Sequence, residues 1–297
     1  MPSLPLPRLT HARLPLTREL SAVNEFGELQ RVWIPVERAL TVYIDKRELV
    51  TLMTLGALPE LLVLGYLRNQ RLITGAHEVE SITVDWEVGA AAVKTRGGIA
   101  DIEARTASKV VTTGCGQGSV FGNLMADVDQ LLLPPATLTQ EQLYAIVNAI
   151  RVQDSTYKTA GSVHGCALFR GAEMLIFVED VGRHNAIDTI AGWMWMQDDA
   201  PMSNPVAPSG KAGTSGADKV FYTTGRLTSE MVIKAAQMGI PIVVSRSGIT
   251  QMGLEVAQRL DLCAIGRATN KRFLCFSGAQ RLQLQPELAG TKLRVVA

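Results

Sequence analysis

Lys219-Val220-Phe221-Tyr222-Thr223-Thr224-Gly225-Arg226 opens the stretch that decides the fold. It reads as a strand over Lys219–Thr224, followed by a helix over Thr228–Met238 and a second strand over Ile240–Ser245. A second helix, Thr250–Leu260, and a strand over Leu262–Gly266 complete a β-α-β-α-β series. That order demands parallel strands joined by right-handed crossovers. Ligands of an open parallel sheet sit beyond the carboxyl ends of its strands. Here those ends run into Thr223-Thr224-Gly225-Arg226 and Ser245-Arg246-Ser247-Gly248. Both loops lead into helix N-termini, whose free N–H groups and dipole favour phosphate, and the adjacent arginines strengthen that preference. The same residues would serve equally as ordinary helix caps.

Working towards the N-terminus, Asp198–Asp218 is rich in Pro, Ser and Gly and reads as a mobile surface loop. A helix is expected over Asn185–Trp195. Strands over Val163–Phe169 and Met174–Val178 are joined through Arg170-Gly171-Ala172-Glu173. A helix over Gln140–Arg151 follows possible caps at Thr137 to Thr139. Val79–Arg105 is extended, broken by Gly97-Gly98, and suggests a hairpin region. Pro59 suits a helix's first turn, and the leucines after it repeat at helical spacing, which predicts a helix over Pro59–Asn69. Gln30–Ile44 and Glu48–Met53 have strand composition. The expected fold class is α/β: a parallel C-terminal β-α-β-α-β sheet with a smaller, mostly β N-terminal region. Three parts follow: a flexible arm, 1–25; an N-terminal α+β region, 26–135; and an α/β core, 136–297, with a mobile loop, 198–218.

The 297 residues are 47% apolar and 19% charged, as in a packed globular protein. With 29 basic against 28 acidic side chains, the net charge of +1 gives no field that would gather a long polyanion, so no nucleic-acid partner is expected. The first twenty residues lack a signal peptide's apolar core, and no run of about eighteen apolar residues exists to cross a bilayer. Cys115, Cys166, Cys263 and Cys275 are too sparse for a secreted disulfide framework, and reduced thiols in the cytoplasm are expected.

Four further clusters bear on chemistry. Cys115 lies within Thr113-Gly114-Cys115-Gly116-Gln117-Gly118-Ser119, where glycines leave the sulfur unshielded, as a persulfide carrier would need. The same loop also reads as a small buried cysteine in a tight turn. Glu179-Asp180-Val181-Gly182-Arg183-His184-Asn185-Ala186 is the densest polar string; Glu179 or Asp180 could orient His184, and Arg183 could pair with an anion, or the string is a capped helix start. His164 and Cys166 share a strand face, but no further ligands at suitable spacing accompany them, so no metal is expected. Arg267-Ala268-Thr269-Asn270-Lys271-Arg272 supplies three cations that could grip a diphosphate, or forms a solvated basic turn.

Taken together, Gly114-Cys115-Gly116, the stretch around His164, Glu179–His184, Ser229-Glu230-Met231 and Arg267–Arg272 resemble the formate dehydrogenase accessory sulfurtransferase (FdhD) family, with Leu64-Gly65-Tyr66-Leu67 matching its early helix. The resemblance runs from about Val32 to Leu282. It implies a cytidine-deaminase-like core without the deaminase zinc, acting as a sulfurtransferase. A cysteine desulfurase would load persulfide sulfur onto Cys115. The sulfur would pass to the Mo-bis(molybdopterin guanine dinucleotide) cofactor of a formate dehydrogenase or related molybdoenzyme, the tungsten form being equally open. It also implies a homodimer. Arg267, Ala268, Thr269, Asn270, Lys271 and Arg272 match the cofactor-binding segment; Thr224, Arg226, Ser245, Arg183 and His184 join them as candidate cofactor contacts. The family often has Cys-x-x-Cys in the loop, whereas the second position here is Gly118. A chaperone that binds the cofactor without moving sulfur is the alternative; a zinc deaminase is disfavoured by its missing ligands.

Overall fold

The computed structural model describes residues 5–103, 110–111, 118–119, 128–198 and 216–289. In chain order these form β1 (Arg8–Leu9), β2 (Thr17–Val23), β3 (Leu29–Pro35), β4 (Arg38–Ile44), β5 (Arg47–Thr54), α1 (Pro59–Asn69), β6 (Val79–Asp85), β7 (Ala90–Thr95), β8 (Val110–Val111) and β9 (Gly118–Ser119). There follow β10 (Leu138–Thr139), α2 (Gln140–Val152), α3 (Thr156–Ala160), β11 (His164–Arg170), β12 (Glu173–Asp180) and α4 (Arg183–Asp198). The chain closes with β13 (Lys219–Thr223), α5 (Ser229–Gln237), β14 (Ile242–Ser245), α6 (Gln251–Arg259), β15 (Cys263–Thr269), β16 (Arg272–Ser277) and β17 (Leu282–Gln283). Two units emerge, neither continuous: unit 1 is Met1–Asp127, Asp154–Cys166 and Val178–Pro208, and unit 2 is Val128–Gln153, Ala167–Phe177 and Ser209–Ala297.

Unit 1 is built on a sheet of order β1-β6-β7-β4-β5. The inward residues of its strands, among them Leu40, Val42, Leu52, Ile82 and Val93, join Leu62, Val63, Leu64 and Leu67 of α1 in one apolar core. The described part of the expected flexible arm, residues 5–25, contains strands. Arg8 and Leu9 pair in parallel with Ser81 and Ile82, and β2 forms an antiparallel hairpin with β3. The cause is a set of hydrogen bonds remote in sequence. The Thr10 hydroxyl and the Ala12 amide both donate to Glu60 at 2.6 Å, and Thr10 Oγ1 accepts from the Val84 amide at 2.9 Å. The β6–β7 hairpin turns at 86–89, ahead of Gly97-Gly98, with Gly89 at φ +63°.

Unit 2 carries most of a six-stranded sheet of order β12-β11-β13-β14-β15-β16. β13, β14 and β15 are parallel, as the β-α-β-α-β reading requires, and β16 returns antiparallel along the edge. β14, all but the first residue of β13 and the first four residues of β15 are buried, as their apolar runs dictate. Val220, Tyr222, Ile242, Val244 and Ile265 pack with Leu143, Ile146 and Val147 of α2. α2 starts where it does because Thr139 Oγ1 accepts from the Gln142 amide at 3.1 Å while Gln142 Oε1 accepts from the Thr139 amide at 3.0 Å, a reciprocal cap. The two β-α steps repeat one another. One register offset relates Val220 to Ile242 and Thr223 to Ser245, and the same offset relates Leu227 to Ile249 and the N-caps Thr228 and Thr250.

Candidate functional site

Within unit 1 the polar string 179–186 folds into an interior network. Asp180, the last residue of β12, is 3% exposed. Its carboxylate accepts from Thr54 Oγ1 at 2.5 Å, the Leu55 amide at 3.1 Å, the Gly182 amide at 3.0 Å and Asn185 Nδ2 at 2.8 Å. Burial pushes its pKa up, against these four hydrogen bonds, which pull the other way. Asn185 Nδ2 also donates to the Met53 carbonyl at 2.7 Å, tying the start of α4 to the end of β5. Glu179 accepts from the Thr156 and Tyr157 amides at 2.5 and 3.0 Å, so it caps α3. Arg183 and His184 are 5% and 2% exposed in the first turn of α4. The string therefore builds a buried strand-to-helix corner.

The second cluster lies in unit 2, at the carboxyl ends of β13, β14 and β15. Thr223 and Ser245 are fully buried and spend their hydroxyls on the turns. Thr223 Oγ1 accepts from the Gly225 amide at 3.1 Å; Ser245 Oγ donates to the Gly225 carbonyl at 2.7 Å and accepts from the Ser247 amide at 2.9 Å. The turns are stitched together by backbone. The Arg246 amide donates to Thr223 O at 3.0 Å, the Leu227 amide to Gly248 O at 2.9 Å and the Arg267 amide to Ser247 O at 2.6 Å. This stitching sets Arg226, Arg246 and Arg267 on three adjacent strand ends. All three are exposed, and none has a carboxylate within ion-pair distance among the described residues. Arg267 holds φ +52° beside a bulge between Gly266 and Thr269.

Of the remaining candidates, Thr224 is half-buried beside Arg226. Ala268 is buried, while Thr269, Asn270, Lys271 and Arg272 are exposed. The basic segment is a strand-turn-strand: Thr269 pairs with Arg272 across Asn270-Lys271, with Asn270 at φ +52°. Ser229-Glu230-Met231 opens α5, where Glu230 pairs with Lys234 at 3.3 Å, both buried. Cys115 and the loop 112–117 lie outside the described residues, as does 199–215 of the expected mobile loop. The flanks of the Cys115 loop are described: Val111 faces Gly118, and Val110 faces Ser119, in an antiparallel ladder. Among the described residues no group of His, Cys, Asp and Glu could hold a metal ion, and no helix is long and apolar enough to cross a membrane. The sequence already puts Arg226 and Arg246 in loops at the carboxyl ends of parallel strands; the stitching of Arg267 to the Ser247 turn comes from the strand register.

Fold and site together define a mixed α/β protein with cations gathered on the carboxyl edge of a parallel sheet. The FdhD/NarQ family profile matches residues 35–283, and the chain belongs to that family. It is 27% identical over 264 residues to "Sulfur carrier protein FdhD" of Listeria monocytogenes serotype 4b (strain F2365), covering 87% of this chain and 95% of that protein. It is 27% identical over 263 residues to the protein of the same name from Bacillus subtilis (strain 168), covering 87% and 94%. The fold is shared with a crystal structure described as that of a formate dehydrogenase accessory protein from Desulfotalea psychrophila, at TM-score 0.68 and 23% identity, over 90% of this chain and all of that one.

Proposed function

We propose that this protein is a sulfurtransferase that accepts persulfide sulfur on Cys115 from a cysteine desulfurase and passes it to the Mo-bis(molybdopterin guanine dinucleotide) cofactor destined for a formate dehydrogenase. Membership of the FdhD/NarQ family carries this reading. The Cys115 thiolate attacks the outer sulfur of the desulfurase persulfide, so that Cys115 gains the sulfur and the desulfurase thiolate leaves. The cofactor is cargo, and the donor set at the sheet edge suits its phosphates: three guanidinium groups not neutralised by carboxylates among the described residues, with Arg226 and Arg246 at the entrances to two helices. Arg226, Arg246 and Arg267 would hold the diphosphate, with Thr224 and the segment Ala268–Arg272 around it. Ser245 shapes the turn beneath, while Arg183 and His184 lie buried in the first turn of α4. The core is taken as deaminase-like in descent, the protein as a homodimer, and the cytoplasm as its location, in keeping with a sequence whose four cysteines are too sparse for a secreted disulfide framework.

Incubation with a cysteine desulfurase and cysteine, followed by intact mass, tests the relay. Gain of one sulfur atom, lost in Cys115→Ser, is the expected result; no adduct under conditions that load the desulfurase rejects it. Gly118, standing where the family often has a second loop thiol, favours one other reading, a cofactor chaperone that moves no sulfur. That reading predicts cofactor binding unchanged in Cys115→Ser and no sulfur adduct in the native protein.

A further inference from the structure

Cys263 and Cys275 stand on neighbouring antiparallel strands at the edge of the unit 2 sheet. β15 and β16 are in register at Ile265 and Cys275, and a bulge next to that pair shifts Ala264 opposite Ser277. Cys263 belongs to the apolar cluster against which Cys275 packs, and the two residues lie on the same face of adjacent strands. Cys263 is buried, whereas Cys275 is partly exposed and its thiol donates to Ser277 O at 3.2 Å. One thiol therefore meets solvent and the other waits behind it. We propose that Cys263 and Cys275 form a redox-active pair that closes to an intramolecular disulfide on meeting a small-molecule disulfide of the glutathione type.

The exchange balances without further reagents. The Cys275 thiolate attacks one sulfur of the small disulfide, forming a mixed disulfide and expelling one thiolate. Cys263 gives its proton to that thiolate and attacks the Cys275 sulfur, expelling the second thiol component. Two protein thiols are oxidised and one small disulfide is reduced. Cys275 lies opposite Ile265, two residues from Cys263 on the same strand face, so closure joins diagonal neighbours across the bulge and draws the two strands together there. The bond would brace the β15–β16 hairpin, which carries Arg267, Lys271 and Arg272. Nothing in this step uses Cys115.

The full-length protein, reduced and freed of reductant, is titrated with oxidised glutathione, quenched with an alkylating agent and digested without reduction for peptide mass mapping. The native protein is expected to give one linked peptide pair joining Cys263 to Cys275. Cys263→Ser should retain glutathione on Cys275, and Cys275→Ser should leave Cys263 reduced. The mapping in the native protein needs no variant to fold. Both thiols staying reduced across the titration, or Cys275 linking instead to Cys115, Cys166 or a second molecule, would overturn the proposal.

Discussion

Gly65 of α1 and Gly192 of α4 meet back to back where the two helices touch. A Cβ added to Gly65 would overlap the Asp188 carbonyl group, with its carbon at 2.6 Å, and one added to Gly192 would overlap Leu61 O and lie 2.9 Å from the Gly65 nitrogen. The obstacles are backbone, which cannot rotate aside. Gly65→Ala and Gly192→Ala are each expected to destabilise unit 1 by about 3 kcal/mol or more, at the upper end of overpacking costs. Urea midpoints measure this; a loss near zero would mean the helices simply part.

The Asp180 network gives a second prediction. Asp180→Ala strands four donors, three of them on Leu55, Gly182 and Asn185, and should cost about 3 kcal/mol or more in chemical denaturation. Asp180→Asn keeps the shape and part of the bonding and should cost less. Equal losses would show that shape rather than hydrogen bonding matters at this corner.

At the sheet edge, Arg226→Ala, Arg246→Ala and Arg267→Ala should each weaken GDP binding about ten- to a hundredfold, since one charge-assisted hydrogen bond is worth roughly 1.5–3 kcal/mol. These side chains are exposed, so thermal midpoints should barely move. Lys271→Ala with Arg272→Ala extends the series to the turn. Calorimetric titration reads all of them; unchanged affinity in every variant rejects the edge as the diphosphate site.

The edge thiols make a pH-dependent pair. The Cys263 thiol donates to Cys275 and holds its pKa down to about 7; that same contact, burial and the Cys275 charge push Cys263 up, with Arg281 opposing and Asp261 adding to the rise. Alkylation of Cys275 should accelerate as pH rises through about 7, and Cys263→Ala should move that midpoint up towards about 8.5. Because the folded pKa is depressed, the associated stability is fully present above the unfolded value and is lost as pH falls through about 7. Mass-resolved labelling rates across pH 5–10 check this, and a midpoint unmoved by Cys263→Ala would remove the coupling.

Much of unit 2 was legible in the sequence because each element there has a strong local cause. The apolar strands Lys219–Thr223 and Ile242–Ser245, and the periodic helices capped at Thr228 and Thr250, could hardly be read otherwise. Pro59–Asn69 was equally plain. What escaped depends on remote partners. Arg8–Leu9 is a strand only because β6 offers an edge and Glu60 gathers Thr10 and Ala12, and Arg272–Ser277 becomes one by folding back on β15. In the polar string, the sequence offers Glu179 or Asp180 to orient His184, and both carboxylates take other donors. The donors from Thr54 and Leu55 that occupy Asp180 lie far off in sequence. Cys115 falls outside the described residues, so its reading stands on the family and awaits the sulfur-loading experiment.

The way the chain shuttles between its two units has a practical consequence. Each unit is assembled from three separate stretches, and β11 and β12 each begin in one and end in the other. No single cut, by a protease or in the gene, would liberate either unit whole. Halves produced that way would each lack strands their sheet needs, so dissection by truncation should yield insoluble fragments, whereas co-expressed complementary pieces stand a better chance of reassembling.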